Sequence, residues 1–202
     1  MDVFESLTEH FKKFPGIGPR QAKRFAYYLL ARDANTLKNL SELILAIKKE
    51  TMICTNCFRF FAKKKSPLCP ICTNETRDHG LLMIVAHDVD IDAIEKSGSY
   101  TGYYFVLGGN LPILEKNPDE YIRSKELLRK VKGNQKIKEV ILALDVNPEG
   151  EYTLEYITKI LEPFSKAGAL NVTHLGRGLS TGTELEYSDT ETIKNALKGR
   201  VS

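Results

Sequence analysis

Val140-Ile-Leu-Ala-Leu144-Asp145-Val-Asn147-Pro-Glu149-Gly150-Glu151 decides the fold. Five consecutive apolar residues make a short strand with both faces buried. The turn after it carries Asp145, Asn147, Glu149 and Glu151 at alternate positions, and a helix follows from about residue 150. Strand, polar turn and helix are the repeating unit of an open parallel sheet, whose ligands gather at the carboxyl ends of the strands. The pattern recurs on either side. Strands are predicted at Leu81–Ala86, Tyr103–Leu107, Val140–Leu144 and Leu170–Leu175. Helices are predicted at residues 89–97, 118–131, 150–167 and 190–198, the last capped by Asp189. The expected fold class is α/β, a mostly parallel sheet with flanking helices, in a multi-domain chain.

Before this sheet lies a segment, about residues 51–80, with little apolar periodicity and no core of its own, which therefore needs a staple. Cys54-Thr-Asn-Cys57 and Cys69-Pro-Ile-Cys72 supply one. Each C-x-x-C turn directs two thiolates to one side, and two turns complete a tetrahedral four-sulfur shell that suits one zinc ion per chain. A closed shell leaves no position for water, so the metal is expected to be structural. A redox C-x-x-C pair and an iron–sulfur cluster are the alternatives. Lys63-Lys64-Lys65, between the two turns, reads as a solvated loop or a contact.

Residues 1–50 read as helical, with stripes Phe25, Ala26, Leu29 and Leu40, Leu43, Ile44, Ile47. Phe14-Pro-Gly16-Ile-Gly18-Pro19-Arg20 breaks the pattern. Two glycines permit a tight reversal, and Pro19 suits the first position of the next helix. Such a helical hairpin exposes backbone N–H groups at a helix start, where an anion is favoured. Arg20, Lys23 and Arg24 follow, away from the apolar stripe. Gly16, Gly18, Arg20, Lys23 and Arg24 are therefore candidates to grip a sugar-phosphate backbone without reading bases. A plain helix–turn–helix corner with surface charges is the alternative.

Composition narrows the function classes. The 202 residues are 42% hydrophobic and 27% charged, an ordinary globular balance. No apolar run is long enough to span a membrane, and Met1-Asp-Val-Phe-Glu5 lacks a signal-peptide pattern, so a cytoplasmic location is expected. Residues 1–82 carry a net charge of +6 and residues 83–202 carry −3, which suggests that the N-terminal part meets a polyanion. No G-x-x-x-x-G-K-[ST] occurs, so nucleotide hydrolysis is not expected. His10, His79, His87 and His174 form no catalytic pattern.

Asp145-Val-Asn147-Pro-Glu149-Gly150-Glu151 resembles the D-x-D-x-E-G-E signature of Toprim domains, the magnesium-binding module of topoisomerases, primases and related nucleases. Asn147 stands where the second aspartate would be. The glutamate that those enzymes carry at the end of their first strand is replaced here by Ala86 or His87, with Asp88, Asp90 and Asp92 nearby at a different spacing. Magnesium binding is accordingly doubtful, and an idle acidic helix start is the alternative reading.

Taken whole, the order helix-hairpin-helix, four-cysteine module, Toprim domain resembles the bacterial recombination mediator family RecR. Glu95-Lys-Ser-Gly98-Ser-Tyr100-Thr-Gly102, Tyr104-Phe-Val-Leu107-Gly-Gly109 and Arg177-Gly-Leu179-Ser-Thr-Gly182-Thr-Glu-Leu185-Glu-Tyr187 are similar to stretches of that family. The division implied is 1–52 for the helix-hairpin-helix region, 53–78 for a zinc finger, 79–175 for the Toprim domain and 176–202 for a C-terminal segment. The resemblance implies a non-enzymatic DNA-binding mediator or clamp. Such proteins form homodimer or homotetramer rings and act with RecO and RecF to load RecA onto single-stranded gaps coated by SSB. Asp145, Glu149 and Glu151 are implied as a partner-binding acidic face. A magnesium-dependent Toprim nuclease or primase-like enzyme and a passive zinc-stapled scaffold are the competing readings.

Overall fold

Asp2, Gly16, Gly18 and Asp33 set the ends of three N-terminal helices. In a computed structural model that describes residues 1–176, 178–179, 182 and 184–199, the chain forms two compact units, Met1–Met52 and Ile53–Ser202. Arg177, Ser180, Thr181 and Thr183 of the C-terminal motif lie outside the described residues.

In the first unit, Asp2 caps α1 (Val3–Phe11) in a reciprocal box with Glu5. Gly16 takes φ +73°, a left-handed value open to glycine at little cost, and turns the chain into α2 (Pro19–Leu30). Pro19 occupies the first turn and Gly18 the cap. Ala22 and Ala26 are fully buried and let α1 approach α2 closely, while Phe11 packs edge-on against Phe14 and Phe25 with centroids 5.7 Å apart. Asp33 caps α3 (Ala34–Glu50) through the Thr36 N–H. No α3 residue is buried, and the predicted stripe Leu40, Leu43, Ile44, Ile47 lies open, with Ile44 62% exposed.

Where the chain passes from the first unit to the second, β1 (Thr51–Ile53) pairs with β2 (Phe60–Ala62) in a short ribbon. A four-stranded sheet follows, made of β3 (Asp78–Val85), β4 (Gly102–Val106), β5 (Glu139–Ala143) and β6 (Asn171–His174). Its order is β4-β3-β5-β6 and every neighbouring pair is parallel, as the α/β reading requires. Ile84 lies opposite both Phe105 and Leu142. The helices are α4 (Asp88–Ser97), α5 (Ser124–Gly133), α6 (Pro148–Lys166) and α7 (Thr190–Lys198), the last capped by Asp189 as predicted.

Strand alternation sorts the core into two layers. Leu82 and Ile84 face Phe105, Leu127, Ile157 and Leu161. Met83 and Val85 face Tyr104, Val106, Ile91 and three cysteines, Cys54, Cys57 and Cys69. The cysteine module has no separate core and shares one layer of the sheet's.

The predicted helix 118–131 is a correction. Pro118–Glu120 makes a single 3-10 turn and α5 starts only at Ser124. Arg123 breaks the run, because its N–H donates to the Leu107 carbonyl and its Nη1 donates to the Val106 carbonyl, at 3.0 and 2.9 Å. The predicted strands also shift by a residue or more, the largest change being at β3, which begins at Asp78.

Gly150 is buried in the first turn of α6. A Cβ there would overlap the Asp145 carbonyl oxygen and lie 2.8 Å from its carbon. Gly150→Ala is therefore expected to lower stability by about 1–3 kcal/mol, the usual cost of overpacking. Urea unfolding checks this: the midpoint should fall with an unchanged slope.

Candidate metal centre, acidic face and nucleic-acid interface

The four cysteine sulfurs converge. All lie within 4.8 Å of one another, and Cys57 and Cys69 Sγ are 3.6 Å apart. A tetrahedral shell with metal–sulfur bonds of about 2.3 Å has sulfur–sulfur edges of about 3.8 Å, so this donor set fits one metal ion. Each turn is held by its own backbone. Cys54 N–H donates to the Arg59 carbonyl at 2.8 Å, Phe58 N–H to the Cys54 carbonyl at 2.9 Å, and Thr73 N–H to the Cys69 carbonyl at 3.1 Å. Phe58 adopts φ +63° to close the first turn. Cys69 N–H points at Cys54 Sγ, 3.4 Å away.

The sulfurs compete for protons. Hydrogen bonds from Cys57 and then Cys72 hold the Cys69 thiol far below its ordinary value, and the bond to Cys69 pushes Cys57 up. Four thiolates this close need a cation among them.

The module is welded to the sheet. β4 is an edge strand, and its Val106 N–H donates to the Cys57 carbonyl at 2.9 Å. Arg77 and Arg123 close the same strand, donating to the Gly102 and Val106 carbonyls at 2.7 and 2.9 Å. Phe58 meets Phe105 edge-on at 5.2 Å, with the Arg123 guanidinium 5.4 Å over its ring. Lys130 reaches from α5 to the Asn56 carbonyl at 2.9 Å. Burial pulls its ammonium below the ordinary value, and the thiols of Cys72, Cys57 and Cys54 oppose that shift.

At the carboxyl end of β5, Asn147 caps α6, its Oδ1 accepting the Gly150 N–H at 2.8 Å. Asp145 accepts the Asn110 amide at 2.7 Å, and Thr153 ties the turn to the β4–α5 connection through the Leu111 N–H at 2.7 Å. Glu149 is exposed and Glu151 half-buried in the first turn of α6. Asn147 Oδ1 is thus engaged in the helix start, and Asp145 Oδ2 in holding the β4–α5 connection. Of the two residues expected at the place of the strand-end glutamate, Ala86 is fully buried and His87 is exposed at the cap of α4. The neighbouring aspartates each have a structural partner. Asp88 accepts the Phe60 N–H, Asp90 the His87 N–H, and Asp92 pairs with Arg59, at 2.6, 2.8 and 2.6 Å.

In the hairpin, Gly18 caps α2 with no side chain, leaving the first-turn N–H groups without a capping acceptor. Arg20, Lys23 and Arg24 are exposed, and none joins an ion pair among the described residues.

Several supporting residues gave no signal by themselves in the sequence: Arg59, Arg77, Asn110, Arg123 and Lys130. The stretch Glu95–Gly102 did stand out, and its geometry gives the reason. Glu95 takes both the Arg77 guanidinium and the Tyr104 hydroxyl, and a Cβ on Gly102 would lie 2.6 Å from Leu81 Cβ.

A helical hairpin, a four-sulfur centre and a parallel sheet with an acidic switch from strand to helix define a Toprim protein with an added helix-hairpin-helix. Residues 80–175 match the family model described as Toprim domain, residues 4–48 that described as RecR, helix-hairpin-helix, and residues 178–201 that described as RecR, C-terminal. The recombination protein RecR of Rippkaea orientalis is 38% identical over 96% of this chain and 94% of its own length. That of Lactobacillus acidophilus is 35% identical over 97% and 95%, and that of Bifidobacterium longum subsp. infantis 37% over 98% and 95%. The chain belongs to the RecR family of recombination proteins.

Cys54→Ser is expected to leave less than one metal ion per chain and to lower the melting temperature, because a structural metal contributes folding free energy. Elemental analysis and calorimetry of protein purified without chelator check both. A metal-poor variant with native melting would remove the staple role.

Proposed function

We propose that this chain is a non-enzymatic, DNA-binding recombination mediator that grips the phosphate backbone without reading sequence. The observation that carries the reading is the row of exposed, unpaired Arg20, Lys23 and Arg24 behind the Gly16–Gly18 turn, in a segment matching the RecR helix-hairpin-helix model. Guanidinium and ammonium groups with open backbone N–H groups beside them suit phosphate oxygens, and nothing in this row presents a groove-reading arrangement.

The metal is zinc, held by Cys54, Cys57, Cys69 and Cys72, since a four-thiolate shell suits zinc and leaves no open position for chemistry. The Toprim sheet serves as a binding surface. Asp145, Glu149 and Glu151 form the acidic face toward RecO, and toward RecF where it is present. Ala86 at the end of β3 supplies no acid or base. The open apolar stripe of α3 supports self-association into a homodimer or homotetramer ring, because an exposed patch of this kind marks a protein contact. In this reading the protein works in the bacterial cytoplasm, at single-stranded gaps coated by SSB, and helps to load RecA. The four-part division at residues 52, 78 and 175 goes with it.

Replacing Arg20, Lys23 and Arg24 by Ala should weaken binding to all DNA sequences alike. It should also flatten the salt dependence on a single strand by about 0.7 in slope for each phosphate that is no longer neutralised. Unchanged slopes would refute the backbone-grip role. In the same titration on gapped DNA the strands should stay intact with magnesium present; cutting would overturn the non-enzymatic reading.

A further inference from the structure

We propose that Tyr28 and Arg32 form a base-stacking platform that continues the phosphate-binding row of α2, so that this unit binds unpaired strands in preference to duplex DNA. The inference rests on the phosphate-grip reading above and adds the form of nucleic acid that the hairpin takes.

Helix geometry lines up the parts. Arg20, Arg24 and Tyr28 are spaced by four residues, so they fall on one side of α2 in steps of about 6 Å along its axis. The row runs from cationic groups to an aromatic ring. Arg32, just past the end of the helix, folds back and places its guanidinium carbon 4.1 Å from the centre of the Tyr28 ring. That contact covers one face of the phenol with a flat cation. Tyr28 remains 56% exposed, which is far from the burial of a tyrosine that serves a core.

The adjacent Tyr27 shows the contrast. It is similarly exposed, yet its ring packs on Phe4 of α1 with centroids 4.7 Å apart, which explains it as part of the hairpin. No ring of the hairpin is paired with Tyr28 among the described residues, and Arg32 joins no ion pair there.

A cation stacked on an aromatic ring, beside a basic row, is the chemistry of single-strand recognition. Cationic groups track the phosphates, and flat groups receive bases, each of which has a π-face whatever its identity. Paired bases are already stacked on their neighbours and cannot use the platform.

The test compares two fluorescent strands of equal length and equal phosphate number, an oligothymidylate and its abasic analogue. The native protein should bind the first about 5- to 150-fold more tightly for one stacked base. Tyr28→Ala should abolish that preference while leaving affinity for the abasic strand and its salt slope unchanged; Tyr28→Phe should keep it. The chain has no tryptophan, so Tyr28→Trp gives a single indole, which the thymidylate strand should quench and the abasic strand should not. Light scattering accompanies each titration. Equal affinity of the native protein for both strands would overturn this inference and leave the phosphate grip standing. Absence of binding to either strand would overturn the grip and the platform together. If Tyr28→Ala changes the assembly state and weakens both strands equally, Tyr28 belongs to a contact between copies and the platform is wrong.

Discussion

Four sulfurs confined within 4.8 Å impose the constraint on which the second unit depends. Thiolates at that separation repel, thiols crowd, and only a shared cation reconciles the donors with the backbone turns that hold them. Once the two turns are locked, the contacts they offer the sheet are fixed too. The Cys57 carbonyl takes Val106, Phe58 takes Phe105, Arg59 takes Asp92, and the Asn56 carbonyl takes Lys130. These bonds reach the edge strand, α4 and α5, so a small module sets the position of three elements of a larger one.

The same contacts account for several carboxylates at the carboxyl ends of the Toprim strands. The carboxylates beyond β3 hold structure together. Asp88 and Asp92 bind the cysteine module, Asp90 closes the start of α4, and Asp145 receives Asn110. Asn147, the departure from the usual acidic pattern, is neutral and caps α6. Toward solvent, the exposed carboxylate of Glu149 stands in the first turn of α6.

Local chemistry was legible in the sequence, and long-range chemistry was not. Pro19 at the helix start, Gly16 at the reversal, Asp189 at the last cap and the paired C-x-x-C turns each depend on a few neighbouring residues, so their spacing carries the information. The strands showed as apolar runs because both faces of a parallel sheet are covered. Helix 118–131 misled because Pro118 suits a helix start and no glycine or proline interrupts the run as far as Val131, while the event that breaks it, Arg123 turning to close β4, joins residues 17 positions apart. Arg59 with Asp92 and Asn110 with Asp145 are likewise pairs made by the fold, at separations of 33 and 35 residues. Tyr28 lies outside the apolar stripe of its helix and drew no notice in the sequence, because its exposure and the guanidinium over its ring show only in the fold.

The way β4 is closed has a consequence for the life of the unfolded and metal-free chain. A five-residue edge strand invites a strand from another molecule, and proteins blunt such edges with charge, bulges or a covering loop. Here the cover consists of two arginines and one carbonyl from a cysteine turn. That carbonyl belongs to Cys57, one of the four cysteines whose sulfurs converge. A cation held by the four sulfurs would thereby guard this edge against intermolecular pairing as well as staple the fold.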